Sequence, residues 1–364
     1  MKIDPTHSTA SSSAEGLDAL VAQAEGKPIA MARLARVVRV EGHKQLAHEL
    51  SLRALDLAPH DEEVRALTAD VLSIDVPRWH FRLVHDEARN NAYEAALRRA
   101  VFPGCKVFEI GTGTGLLAMM AVRAGAAEVV TCESSPAVAA AAKDIVAHNG
   151  YADRIRVIAK HSTKLDVDKD LHGRADILIS EIVGCDRIGE GALPALEHAM
   201  QHFMKPGAVA IPVRAHVRVA LSDDAESERF RMGMVAGFDL SPFNRLSSPD
   251  RGIKIGSARL ALRSTAADVF SFDFRAGGPY LKQRRALELI SHGGRINGIA
   301  QWIMLELDDA TQFENRPSPG ADSSWFVNFF PFERARETHA GERIGITARH
   351  DRSSLRVWMT SAGS

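Results

Sequence analysis

The chain has 364 residues, of which 45% are hydrophobic and 25% charged, with a formal net charge of −1. This is the balance of a globular protein long enough for two or three domains, and it excludes the global basic field that draws proteins to nucleic acid or membranes. No apolar run approaches the roughly 20 residues of a membrane span. Cys105, Cys132 and Cys185 lie far apart without metal-ligand spacing, which predicts no metal and a reducing, cytoplasmic setting.

In chain order, Met1 to Gly16 is polar and rich in Ser and Thr, and predicts a disordered tail over residues 1–16. Residues 17–75 interleave Ala and Leu with charges and read as helical. Ala35, Gly42, Ala47, Ala54 and Pro59 fall where a tetratricopeptide-like repeat places small residues, a turn and a terminal proline. A plain helical cap is the alternative. Residues 76–212 alternate apolar runs (KVFEI, EVVTCE, RIRVIAK, ADILISE) with Ala-rich stretches, predicting a Rossmann-like α/β domain with a parallel sheet. Residues 213–364 carry short strand-like runs, WFVNFFPF and ERIGITAR among them, and predict a mostly antiparallel β domain.

The strongest local signal is VFEIGTGTG, residues 107–115. An apolar strand ends at Glu109-Ile110, glycines alternate at 111, 113 and 115, and a helix begins at Leu116. Glycines let the backbone approach a ligand, and the helix start directs free N–H groups into the same space. The G-x-G-x-G spacing departs from the G-x-G-x-x-G of pyrophosphate-binding turns. S-adenosylmethionine is the predicted cofactor, with Glu109, Gly111, Thr112, Gly113, Gly115 and Leu116 as its candidate contacts; a purely structural βα turn is the alternative. Glu133, 24 residues after Glu109 and followed by Ser134, ends the next strand-like run, where a carboxylate accepts ribose hydroxyls. His161 and Ser162 follow the third run, where an adenine edge would lie.

The fourth run leads into EIVGCDRIGEG, whose Glu181 and Glu190 bracket a loop at the sheet's ligand-binding edge. Two close carboxylates repel unless a cation joins them, and a planar guanidinium matches such a pair. Glu181 and Glu190 are therefore the candidate catalytic and substrate-binding residues, with Glu190 the favoured proton acceptor. Two solvated loop glutamates are the alternative.

The stretch SEIVGCDRIGEG resembles the double-glutamate loop of protein arginine methyltransferases, and the likeness covers about residues 78 to 364. The resemblance implies a class I methyltransferase domain followed by a β-barrel with a short dimerisation arm near residues 223–250, hence a homodimer acting on arginine-containing proteins or peptides. The segment WHFRLVHDEARN, residues 79–90, is similar to the helix that folds over the cofactor; His80 and Arg89 match family residues, Arg89 the one that holds the methionine carboxylate. MVAGFDLSPF, residues 234–243, resembles the dimerisation arm. The tetratricopeptide-like start and the WHF and GEGALP wording resemble the divergent branch with symmetric-dimethylating and monomethylating members. Two departures bear on product and strength. Ser323-Ser324-Trp325 stands where the family carries Thr-His-Trp, and Leu83 stands where asymmetric dimethylating members carry methionine. Trp302 and Trp325 are candidate walls of a guanidinium channel through cation–π contact, with core packing as the alternative. A small-molecule or non-arginine acceptor, or a cofactor-binding scaffold, are the rival functions.

Overall fold

A computed structural model describes residues 9–74, 76, 79–182, 191–321 and 325–360. The chain forms two compact units: Met1–His80 with Ser135–Ala141, and Phe81–Ser134 with Ala142–Ser364. In the first, α1 (Thr9–Ala24) is followed by α2 (Pro28–Val40), α3 (Lys44–Leu57) and α4 (Glu62–Ser73). Pro28 starts α2 where a missing N–H costs nothing. Asp61 caps α4 by accepting from the Glu63 and Val64 amides. Ala35, Ala47 and Ala54 are fully buried beside Met31, Leu50 and Val64, so the helices approach through small side chains. Gly42, at φ +92°, makes the turn between α2 and α3. One expectation is corrected: helix, not tail, begins at Thr9. Leu17 and Val21 anchor its later turns on the core, and the Ala and Ser residues before them continue the helix.

After α5 (Trp79–Leu83) and α6 (Glu87–Ala100) come β1 (Lys106–Ile110), α7 (Leu116–Ala124), β2 (Glu128–Cys132), α8 (Pro136–His148), β3 (Ile155–Ile158), β4 (Ala175–Ser180), α9 (Ala192–His202) and β5 (Met204–Ile211). The five strands form a parallel sheet in the order β3-β2-β1-β4-β5. Its central strands β1 and β4 are buried at all but one residue each, the mark of a sheet covered on both faces. The order reverses between β1 and β4, the switch point at which such sheets open a crevice beyond their C-terminal ends. Ile110 and Ser180 are register partners, so the glycine turn and Glu181 leave the sheet side by side.

The β-rich part runs β6 (Arg214–Asp224), β7 (Met234–Val235), β8 (Phe238–Asp239), β9 (Arg251–Lys254), β10 (Leu260–Leu262), β11 (Ala267–Asp273), β12 (Gln283–Glu306), β13 (Gln312–Glu314), β14 (Phe326–His350) and β15 (Leu355–Met359). Its antiparallel sheet is built on β6, β12 and β14. The runs WFVNFFPF and ERIGITAR, expected as separate strands, are one strand, β14. The polar stretch between them stays paired with β12 across register shifts at Ile290/His292 and Ile296/Gly298. β7 and β8 form a small hairpin in the expected arm.

Candidate active site

The glycine turn has a left-handed backbone at all three glycines: φ is +87° at Gly111, +52° at Gly113 and +78° at Gly115. The Gly111 and Thr112 amides donate to the Cys132 carbonyl, tying the turn to the end of β2. The Thr112 and Thr131 hydroxyls are 2.7 Å apart. A Cβ on Gly111 would lie 2.7 Å from Ile182 Cγ2, whereas one on Gly113 would meet nothing within 4 Å. Gly113 therefore faces open space, and Gly115 caps α7 without a side chain over the helix start. Leu116 opens that helix.

Glu133 Oε2 accepts from the Gly113 amide at 3.2 Å, and the Ser134 hydroxyl lies 3.4 Å from Oε1. The predicted ribose carboxylate is thus already oriented by the turn. His161 is exposed at the end of β3, where its Nδ1 accepts from the Thr163 amide and caps a short 3-10 turn; Ser162 beside it is buried.

Glu109 is 1% exposed and neither carboxylate oxygen has a hydrogen-bond partner. Burial lifts its carboxyl to about 8, against the lowering effects of nearby Thr131 and Arg89. A buried, unpartnered carboxyl beside an open glycine cradle fits the ammonium end of S-adenosylmethionine.

Arg89 and Glu181 form a buried ion pair, Nη2 to Oε2, at 3.0 Å. Asp86 caps α6 by accepting from the Arg89 amide, and Arg89 Nη1 donates to Asn90 Oδ1 at 2.7 Å. The guanidinium lies 5.5 Å from the Tyr93 ring centroid, and the Tyr93 hydroxyl donates to the Ser180 carbonyl. Burial raises the Glu181 carboxyl above the usual range, with Arg89 opposing it. Arg89 Nε is buried without an acceptor, a donor suited to the carboxylate that the resemblance assigns to this arginine. The sequence reading missed Asp86, Asn90 and Tyr93 as supports; the cap pattern Asp86-x-x-Arg89 was a usable signal for the first.

His80 is half-buried in α5 and belongs to the first unit. Glu190 and Ser324 lie outside the described residues. Trp302 corrects its expectation: it is fully buried, and its Nε1 donates to Glu314 Oε1 at 2.7 Å, so it packs the β-rich core and walls no channel. Trp325 is 8% exposed and packs against Phe313, with ring centroids 5.7 Å apart. Both rings turn inward because their apolar area outweighs any gain from facing a wet cleft.

Residues 94–211 match the model of the ribosomal protein L11 methyltransferase (PrmA) family. The chain is 34% identical over 294 residues to an arginine N(omega)-methyltransferase of Streptomyces achromogenes subsp. streptozoticus, covering 79% of this chain and 80% of that one. It is 33% identical over 318 residues to protein arginine N-methyltransferase 7 of Drosophila grimshawi, and 31% identical over 326 residues to that of Danio rerio. Those matches cover 75% and 81% of this chain but 45% and 46% of the relatives, so the chain spans under half their length. Its fold is similar to that of the Trypanosoma brucei PRMT1 enzyme-prozyme heterotetrameric complex with AdoHcy, with TM-score 0.66 and 23% identity over 80% of this chain and 96% of that one. It is also similar to Arabidopsis thaliana protein arginine methyltransferase 10, with TM-score 0.61 and 17% identity over 78% and 93%. The glycine cradle with its unpartnered Glu109, and a relative matched over four fifths of both chains, lead to one assignment: this chain belongs to the arginine N-methyltransferase family of S-adenosylmethionine-dependent enzymes.

Proposed function

We propose that the chain transfers a methyl group to a guanidinium nitrogen of arginine. The observation that carries this reading is the buried Arg89–Glu181 pair beside the glycine cradle. A carboxylate held out of water at this edge needs a cation, and Arg89 meets its Oε2 at 3.0 Å.

S-adenosylmethionine, when bound, supplies the electrophilic methyl. Gly113 leaves room for it, Glu133 takes its ribose hydroxyls, and Glu109 and Arg89 take the ammonium and carboxylate of its methionine end. A free guanidinium is a poor nucleophile because its charge is delocalised. Hydrogen bonds from the acceptor to Glu181 and Glu190 draw that charge onto the contacted nitrogens and leave electron density on the third. Glu190 receives the released proton. Holding acceptor and donor aligned supplies roughly 7–11 kcal/mol of the barrier reduction.

The acceptor is an arginine residue of a protein or peptide. A second reading has one specific support: the Streptomyces relative is named for arginine, without mention of a protein. The chain acts as a homodimer through the hairpin arm, where Phe238 and Leu246 are 71% and 69% exposed. The N-terminal helices form a tetratricopeptide-like docking module, and the unpaired Cys105 and Cys132 suit a reducing cytoplasm.

The test is incubation of the full chain with labelled S-adenosylmethionine and cell lysate, followed by acid hydrolysis of the labelled product. Label recovered as methylarginine supports the reading; label on any other amino acid or metabolite overturns it.

A further inference from the structure

Beside the strand that starts after Trp325, the β-rich part holds a cavity of about 540 Å³. Arg82, Lys254 and Arg259 line it, and among the described residues no carboxylate does. Arg259 is neutralised: its Nη1 lies 2.7 Å from Glu226 Oε2 and its Nε 3.3 Å from the fully buried Asp224. Arg82 and Lys254 have no ion pair or side-chain hydrogen bond among the described residues, and both are exposed. A concave wall bearing two cations concentrates positive potential more than the same charges on a convex surface.

The cavity is shaped rather than incidental. Phe326 flanks it and Gly252 packs against that ring, where a Cβ would come within 3.4 Å. Gly256 closes on the backbone of Ala321, with Gly320 donating to the Gly256 carbonyl at 3.0 Å. One connection ties it to the reaction site. Arg82 opens the tight turn that leads into α6: its carbonyl accepts from the His85 amide, and Asp86 then caps the turn carrying Arg89. Two such turns keep the Arg82 and Arg89 backbones within roughly 16 Å, a gap that long side chains and an arginine molecule can bridge.

We propose that this cavity is a carboxylate-binding subsite for the methyl acceptor, with Arg82 and Lys254 as its binding cations. The proposal rests on the reading that the acceptor is an arginine. It adds a selection rule: the favoured acceptor bears a carboxylate at a fixed distance from its guanidinium. Free arginine supplies its α-carboxylate. A peptide supplies a nearby acidic side chain.

The test compares the full-length wild type with Arg82→Gln, Lys254→Gln and the conservative Arg82→Lys, on matched acceptors. One pair is L-arginine and agmatine, which lacks the carboxylate. The other is an arginine peptide with a neighbouring glutamate and the same peptide with glutamine there. Removing one charged hydrogen-bond partner is expected to raise KM about tenfold on the carboxylate-bearing member of a pair, with kcat little changed. The carboxylate-free member keeps its KM, and Arg82→Lys restores most of the loss. A loss confined to L-arginine identifies the α-carboxylate; a loss confined to the glutamate peptide identifies the side chain. Equal effects within both pairs, or none, overturn the proposal. Calorimetric binding of L-arginine and agmatine to the same proteins gives a readout independent of turnover. If no acceptor is methylated, the function reading fails, and the subsite stands or falls on whether L-arginine binds more tightly than agmatine and loses that margin in Arg82→Gln.

Discussion

Arg89 Nη2 and Glu181 Oε2 meet at 3.0 Å with side chains only 6% and 10% exposed. One residue comes from the first turn of α6 and the other directly follows β4, so their meeting joins two segments 92 residues apart in the chain. Burial raises this carboxyl above the usual range, and the Arg89 guanidinium opposes that rise. Glu181→Gln is expected to lower kcat by about 10²–10³, the loss typical of removing one charge-stabilising group from a dry site. Undiminished transfer from labelled S-adenosylmethionine by this variant sinks the assignment.

Arg89→Ala should do more than weaken cofactor binding. It strands Glu181 without its partner, and breaking a buried pair from one side costs about 3–5 kcal/mol. A denaturant midpoint well below that of the wild type is expected. The double variant Arg89→Ala/Glu181→Gln should recover part of that loss, because no buried charge then remains. An additive double variant means the pair is not coupled.

Glu109 predicts a pH effect. Its folded carboxyl lies at about 8, above an ordinary value of 4.5. A raised value makes the protonated form the stable one in the fold. This contribution is complete below pH 4.5 and declines as pH rises to about 8. Near pH 7 the cost of ionisation is on the order of 3 kcal/mol. Without cofactor, Glu109→Gln should therefore gain melting temperature over the wild type progressively between pH 5 and 8. It should also bind S-adenosylmethionine more weakly. A melting difference that stays flat with pH contradicts the first expectation.

His350 has the opposite sign. It is 1% exposed, neither ring nitrogen has a partner, and the Phe270 and Phe272 rings stand edge-on at 4.5 and 5.3 Å. Burial pushes its value below 6.5, against a weaker pull from Asp351. The unfolded chain takes up the proton first, so stability present above pH 6.5 is lost as pH falls. His350→Phe should flatten the fall in melting temperature between pH 6.5 and 5. An unchanged slope means His350 is not the group responsible.

The arm should decide assembly. Met234 is 69% exposed and Phe243 60%, on the same hairpin segment as Phe238. Burying such a patch against a second copy recovers roughly 25 cal/mol per Å². Light scattering is expected to give a dimer mass for the wild type and a monomer mass for Phe238→Asp. A wild type that is monomeric at tens of micromolar removes the homodimer.

The cofactor turn was legible in the sequence because its chemistry is local. A strand, three alternating glycines and a helix start are consecutive in the chain, and each follows from short-range backbone preferences. The same holds for the strand-helix alternation and for Glu181 at a strand end. Trp302 was not legible, because one indole in a strand reads alike whether it lines a cleft or fills a core; only the Glu314 acceptor at 2.7 Å settles its place. β14 was read as two strands because its middle is polar, and only pairing with β12 shows that the polar residues continue the ladder.

The sequence by itself therefore determined the cofactor turn, the carboxylate after β4 and the order of domains, because backbone preference and hydrophobic period are properties of neighbouring residues. Tertiary structure alone decided that Arg89 meets Glu181, that Glu109 is stranded without a partner, and that Arg82 and Lys254 face one cavity. Those are contacts between distant segments, and burial and charge pairing acquire their energies only when folding removes the water between them.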